Sequence, residues 1–125
     1  MNLVYNKIVS YYKNKAAGVT KERYYEICEA IGSSPLEEEI PVELADFPDL
    51  VQLAFRVYDF LQDNWDTVGG SYMGKNMVGL LEIFEILDID DREERKLILE
   101  LVVLIDSARS KQISSSKPKN KTPTT

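Results

Sequence analysis

The chain has no histidine and a single cysteine. The first absence removes the side chain that most often serves as general base and zinc ligand, and with it every Ser-His or Cys-His nucleophile pair. The second leaves Cys28 without an intrachain disulfide partner, a usage that fits a reducing compartment. Long apolar runs are also missing. The longest, Leu101 to Ile105, falls far short of the ~20 residues that span a bilayer. Residues 1–10 hold one lysine and no continuous apolar stretch, so no secretory leader and no membrane partner are expected. Strand signals are absent too: no Asn-Gly turn and no strict alternation over a strand length. The expectation is a soluble, cytoplasmic, all-α protein.

What is present supports a compact bundle of about five helices. Its 125 residues and 44% apolar content suffice for one core without staples. The net charge of −6 conceals a segregation. Residues 1–23 carry five bases and one acid, and residues 109–125 carry five bases and no acid. Of 15 bases and 21 acids in all, five bases and twenty acids remain for residues 24–108. An acidic body between basic ends favours basic protein partners, while the ends suit anions.

Apolar spacing places a first helix over Asn2–Ala16, closed by Gly18, and a second over Tyr24–Ile31, capped by Thr20 and closed by Gly32. Cys28 falls on the apolar stripe of the second, between Glu26 and Glu29, and reads as a small core residue. Residues 33–46 lose all period; Pro35, Pro41 and the run Glu37-Glu38-Glu39 suggest an irregular crossing segment with at most one helical turn near Leu36–Glu39. A third helix opens at Asp46-Phe47-Pro48 and runs to Trp65, which closes the core at its end. Phe55 and Phe60 lie off its main stripe and mark a second apolar flank. Asn76 caps a fourth helix reaching Leu87, and Asp90 with Glu93 forms a capping box for a fifth, to Arg109. The fifth is apolar nearly all round from Leu97 to Ile105, so the other helices should pack about it. Residues 1–110 form the domain and residues 111–125 a disordered basic tail.

Chemistry-bearing motifs are few. Gly69, four residues, then Gly74-Lys75-Asn76 approximates a phosphate loop, with asparagine where magnesium wants a hydroxyl. The motif also requires a preceding buried strand, whereas Asp63-Asn64-Trp65-Asp66 reads as a polar helix end. A glycine turn reversing two helices is the preferred reading. Asp88, Asp90 and Asp91 miss calcium-loop spacing, since Leu99 stands where a bidentate glutamate belongs. No metal site, cofactor or catalytic residue is assigned.

The segments "FPDLVQLAF", "YMGKNMVGLLEIF" and "LIDSARS", about half the chain, resemble small acidic helical proteins of unknown activity encoded by tailed bacteriophages. The resemblance implies an accessory or virion-assembly factor that works by binding, in the host cytoplasm or the virion. The resulting expectation is a non-enzymatic protein–protein interaction factor that meets a phage or host protein through Tyr72, Met73, Lys75, Phe55 and Phe60. The alternative is a nucleic-acid-associated or transcription-modulating factor that uses Lys111, Lys117, Lys119 and Lys121 for phosphate contact. A third reading gives the Gly-Lys loop a phosphate or nucleotide.

Overall fold

A computed structural model describes residues 2–116. It contains five helices: α1 (Asn2–Ala17), α2 (Lys21–Ile31), α3 (Asp49–Phe60), α4 (Leu80–Ile86) and α5 (Arg92–Ser116). Two single 3-10 turns, Glu37–Glu39 and Leu44–Asp46, lie between α2 and α3. The expectation of a mostly helical domain holds, but the all-α assignment needs correction. Between α3 and α4 the chain forms an antiparallel pair, β1 (Gln62–Trp65) and β2 (Tyr72–Asn76). The third helix therefore stops at Phe60, five residues short of Trp65.

Several helix ends follow local chemistry. Thr20 Oγ1 accepts the Arg23 N–H (3.1 Å), and Gly18 and Gly32 both take φ 71° after their helices. Asp91, one residue beyond the expected Asp90, caps α5 by accepting the Glu94 N–H (2.8 Å). Asn76 does not cap α4. Its Oδ1 accepts the Val78 N–H (2.9 Å) in a side-chain turn, and α4 begins only after Gly79. Asp88, at φ 59°, ends α4 while Ile89 N–H donates to the Phe84 carbonyl (2.8 Å).

The core gathers where α5 packs against α1, α3 and β2. Ile98, Leu101, Val102, Ile105 and Ala108 are buried at spacings of three, one, three and three, which defines one face of α5. Against it lie Ile8 of α1 and Val51, Ala54, Val57 and Tyr58 of α3. The other face stays open, with Leu97, Leu99 and Val103 exposed, so α5 is central without being wrapped. It also runs seven residues past Arg109, carrying Lys111 on a helix beyond the expected boundary at residue 110.

Phe55, expected on an open flank, is only 3% exposed. It packs with Tyr11 and Phe47 at ring distances of 5.2 and 5.3 Å, because the Leu44–Asp46 turn folds Phe47 back over α3. No described helix is long and apolar enough to cross a membrane. Lys117, Lys119 and Lys121, and the expected disorder of the tail they belong to, lie outside the described residues.

Candidate functional site

The glycine-rich stretch reverses two strands, not two helices. Asp66 organises the reversal: its carboxylate accepts the Val68 and Gly69 N–H groups (3.1 Å each), and its own N–H donates to the Ser71 carbonyl (2.8 Å). Pairing runs Gln62 to Asn76, Asp63 to Lys75 and Trp65 to Tyr72. Two steps on β1 thus oppose three on β2, a bulge that falls at Met73-Gly74. Gly74 takes φ 92°, and a Cβ there would stand 2.9 Å from Asp106 Oδ2. Both conformation and space reserve the position for glycine.

Behind the hairpin, six side chains from four elements converge. Arg109 of α5 grips Asp63 of β1 with both nitrogens, Nη1 to Oδ1 at 2.8 Å and Nη2 to Oδ2 at 3.2 Å. Nη1 also donates to the hydroxyls of Tyr58 (3.2 Å) and Tyr72 (3.1 Å). Those hydroxyls in turn donate to Asp106 Oδ1, at 2.8 and 2.9 Å. Asp106 Oδ2 accepts the Lys75 N–H (3.1 Å). Lys75 Nζ lies 3.0 Å from Asp63, donates to the Leu61 carbonyl (2.7 Å) and sits over the Tyr58 ring. Two carboxylates and two cations balance, and each polar head has a partner.

This clasp takes in two of the expected contact residues. Tyr72 and Lys75 turn their polar ends into the clasp; the Lys75 side chain is only 7% exposed. Three residues apart, they would fall on opposite faces of a regular strand; the extra residue of the bulge between them lets both reach the same cluster. Met73, between them, is 65% exposed. Trp65 does not close the core. It stands on β1, about half exposed, with its ring tilted against Tyr72 at 5.0 Å. The Gly74-Lys75 pair lies within a strand, its amide and ammonium already turned to Asp106 and Asp63.

The electrostatics follow from this arrangement. The Arg109 guanidinium beside Asp63 holds that carboxyl well below the usual carboxylate range, with Lys75 adding to the effect. Pairing with Asp63 in turn raises Arg109. Burial pushes the Tyr58, Tyr72 and Tyr12 hydroxyls well above their ordinary value, so they stay neutral donors. Among the described residues, no group of three or more histidine, cysteine or acidic side chains is placed to hold a metal ion.

Phe60, the last of the expected contact residues, has a different neighbourhood. It ends α3 at 59% exposure and lines a cleft of about 70 Å³ with Ile83 and Ile86 of α4 and Leu87 just after it. Ile86 is 78% exposed. The sequence marks Phe60 and carries the fourth helix to Leu87, but nothing local in it sets Ile83 and Ile86 beside Phe60, because the meeting of α3 and α4 is a tertiary contact.

Elsewhere, Lys111 is exposed on α5, close to where the ends of α1 and α5 meet. There Tyr12, Lys15 and Ala16 share a shallow cavity of about 280 Å³ with Arg109, Gln112 and Ile113. Compared with family models, with curated proteins and with solved structures, the chain matches none.

Proposed function

We propose that the protein is a non-enzymatic interaction factor that captures another protein through the cleft between α3 and α4. The observation that carries this reading is the exposure of Phe60 and Ile86 beside Ile83 and Leu87, an apolar-lined notch on two helices. Covering apolar area contributes roughly 25 cal/mol per Å², and aromatic side chains seated in notches dominate many interfaces. The cleft is small beside the ~1,600 Å² of a standard interface, so it serves as an anchor within a broader contact. Met73 is a further exposed apolar side chain available to such a contact.

The clasp supports a binding role from the other direction. Asp63 is held low and Tyr58, Tyr72 and Arg109 high, all four away from neutrality, whereas proton transfer is most efficient with a group poised near the working pH. The likeness to phage-encoded proteins supplies the setting we favour, an accessory or assembly step in an infected cell.

The direct test compares immobilised wild-type protein with Phe60→Ser and Ile86→Ser in capture from cells that carry the gene. Both positions are exposed, so melting temperatures should match wild type. A protein retained by wild type and lost by both variants is the expected result. Identical captured sets would remove the cleft from the reading.

A second reading has its own observation. The convergence of α1 and α5 gathers Lys15 and Arg109 at one end of the molecule, with Lys111 two residues beyond Arg109. Nucleic-acid binding through that end would be sequence-blind and weaken steeply with salt. Replacing Lys15 and Lys111 with glutamine should reduce it, and removing residues 117–125 should reduce it further. Absence of binding by the intact protein at low salt would eliminate this reading.

A further inference from the structure

Arg109 has hydrogen-bonding capacity that the clasp does not use. A guanidinium offers two bidentate edges, one across Nη1 and Nη2 and one across Nη2 and Nε. Asp63 takes the first edge, and the Tyr58 and Tyr72 hydroxyls take what remains on Nη1. The Nε–H and the outer Nη2 hydrogen meet no acceptor among the described residues. The side chain keeps 25% of its surface exposed and lines the cavity between the ends of α1 and α5. With the first edge closed by the hairpin, what it can present there is its stem and the unused edge.

Its neighbours in that cavity also hold donors without acceptors. Tyr12 packs its ring against Tyr11 and Phe55, but its hydroxyl has no hydrogen-bond partner among the described residues. Burial raises that hydroxyl, so it stays protonated, and the Arg109 charge lies close enough to oppose the rise. Gln112 lends its main-chain carbonyl to Ser115 and leaves its side-chain amide unengaged among the described residues. Lys15 has no ion pair among those residues; its ammonium rests 5.7 Å from the centre of the Tyr11 ring, on a flexible stem that can swing.

Among the described residues no acid lines the cavity. Asp59 acts on the Tyr12 hydroxyl but lines a separate cavity with Leu53 and Arg56. Asp63 and Asp106 are both engaged in the clasp. Donors gathered at an enclosed space without an acceptor leave hydrogen bonds unmade, and a group with two coplanar oxygens completes them.

We propose that the cavity between the ends of α1 and α5 binds a small oxyanion, a carboxylate or phosphate group, held side-on by Arg109 Nε and Nη2 and steadied by the Tyr12 hydroxyl, the Gln112 amide and the Lys15 ammonium. At about 280 Å³ the space far exceeds the ~30 Å³ share of one water, so the group can belong to a small organic molecule. Asp63 already answers the Arg109 charge, so the ligand gains hydrogen bonds more than net attraction, and affinity is modest. The site stands apart from the α3–α4 cleft and does not depend on the capture reading. It shares Lys15 and Arg109 with the nucleic-acid reading but asks for a free small ligand.

Two-dimensional NMR spectra of the intact protein test this as potassium phosphate, acetate or chloride is added at matched ionic strength. Phosphate or acetate should give saturable shifts at the Ala16, Gln112 and Ile113 amides and at the Arg109 Nε–H, which chloride does not reproduce. The anion that saturates at the lower concentration names the headgroup. Tyr12→Phe keeps the ring that packs on Phe55, and Lys15 is exposed, so neither Tyr12→Phe nor Lys15→Gln should disturb the fold. Each should raise the dissociation constant about fivefold or more.

Absence of saturable shifts with both oxyanions would overturn the proposal. So would equal midpoints in wild type, Tyr12→Phe and Lys15→Gln. Saturation by a short oligothymidylate, with none by phosphate or acetate, would overturn the small-ligand site and leave the nucleic-acid reading in place.

Discussion

The hairpin and helix α2 invert what their sequences advertise. The hairpin is polar and glycine-rich, yet it is fastened to α3 and α5 through a closed set of charges and hydroxyls. Helix α2 carries an apolar stripe at ideal spacing, yet buries only Cys28 from it. Ile27 and Ile31, one turn apart, stay exposed, Ile31 at 71%. What holds α2 is its first turn. Lys21 pairs with Asp46, its N–H donates to Glu43 (3.1 Å), and the Tyr24 hydroxyl accepts the Leu36 N–H (3.0 Å). An 11-residue helix gains little from its own hydrogen bonds in water, so α2 depends on these tethers. Periodicity says that a face can be buried; whether another element arrives to bury it is decided elsewhere.

Cutting the clasp should separate the two regions most clearly. Arg109→Met removes the partner of a partly enclosed Asp63 and two hydroxyls. The expected loss is about 2 kcal/mol, read as a lower urea midpoint, since breaking a buried ion pair costs ~3–5 kcal/mol and this one is about a quarter exposed. A loss indistinguishable from that of an exposed lysine variant would reduce the clasp to ornament.

Acid titration should give a smaller contrast. Asp63 is held below its unfolded value of about 3.9, so its contribution is complete above that pH and declines as pH falls toward the folded value. Asp46 is also lowered, by its hydrogen bond to Lys21, at a site equally exposed but to a lesser degree. Stability measured from pH 5 down to about pH 2 should therefore flatten more in Asp63→Asn than in Asp46→Asn. The reverse order would mean that the α2 tether is the stronger of the two.

Lys21→Ala should have the least effect on global stability and the most local one. Amide exchange in α2 is expected to quicken while the hairpin and α5 keep their protection. Uniform acceleration across the chain would show that α2 belongs to the same cooperative unit as the core.

Much of the helical frame was legible because its cues are local. Thr20, Gly18 and Gly32 mark helix ends by their own conformational preferences, and the stripe from Leu50 to Tyr58 has the period of a helix. The hairpin was not, since Gln62 to Trp65 has no alternation and the bulge at Met73-Gly74 breaks the pattern in β2. The clasp was hidden by distance: Arg109 meets Asp63 and Tyr58 across 46 and 51 residues of chain. One signal was available. Asp106 and Arg109 follow the apolar run of α5 one turn apart, and charges bordering a buried face need partners. Phe55 misled because its position relative to α3 alone cannot reveal that Phe47 folds back over it.

The Gly74-Lys75 pair bears on anion binding as well. Its amide and its ammonium are already occupied by carboxylates of the same chain, Asp106 and Asp63. A tethered carboxylate competes at a far higher effective concentration than any solute. A phosphate seeking those groups would first have to unfasten the hairpin from α5, so the protein supplies its own counter-ion, and a string match across residues 69–76 points to a seat that is taken.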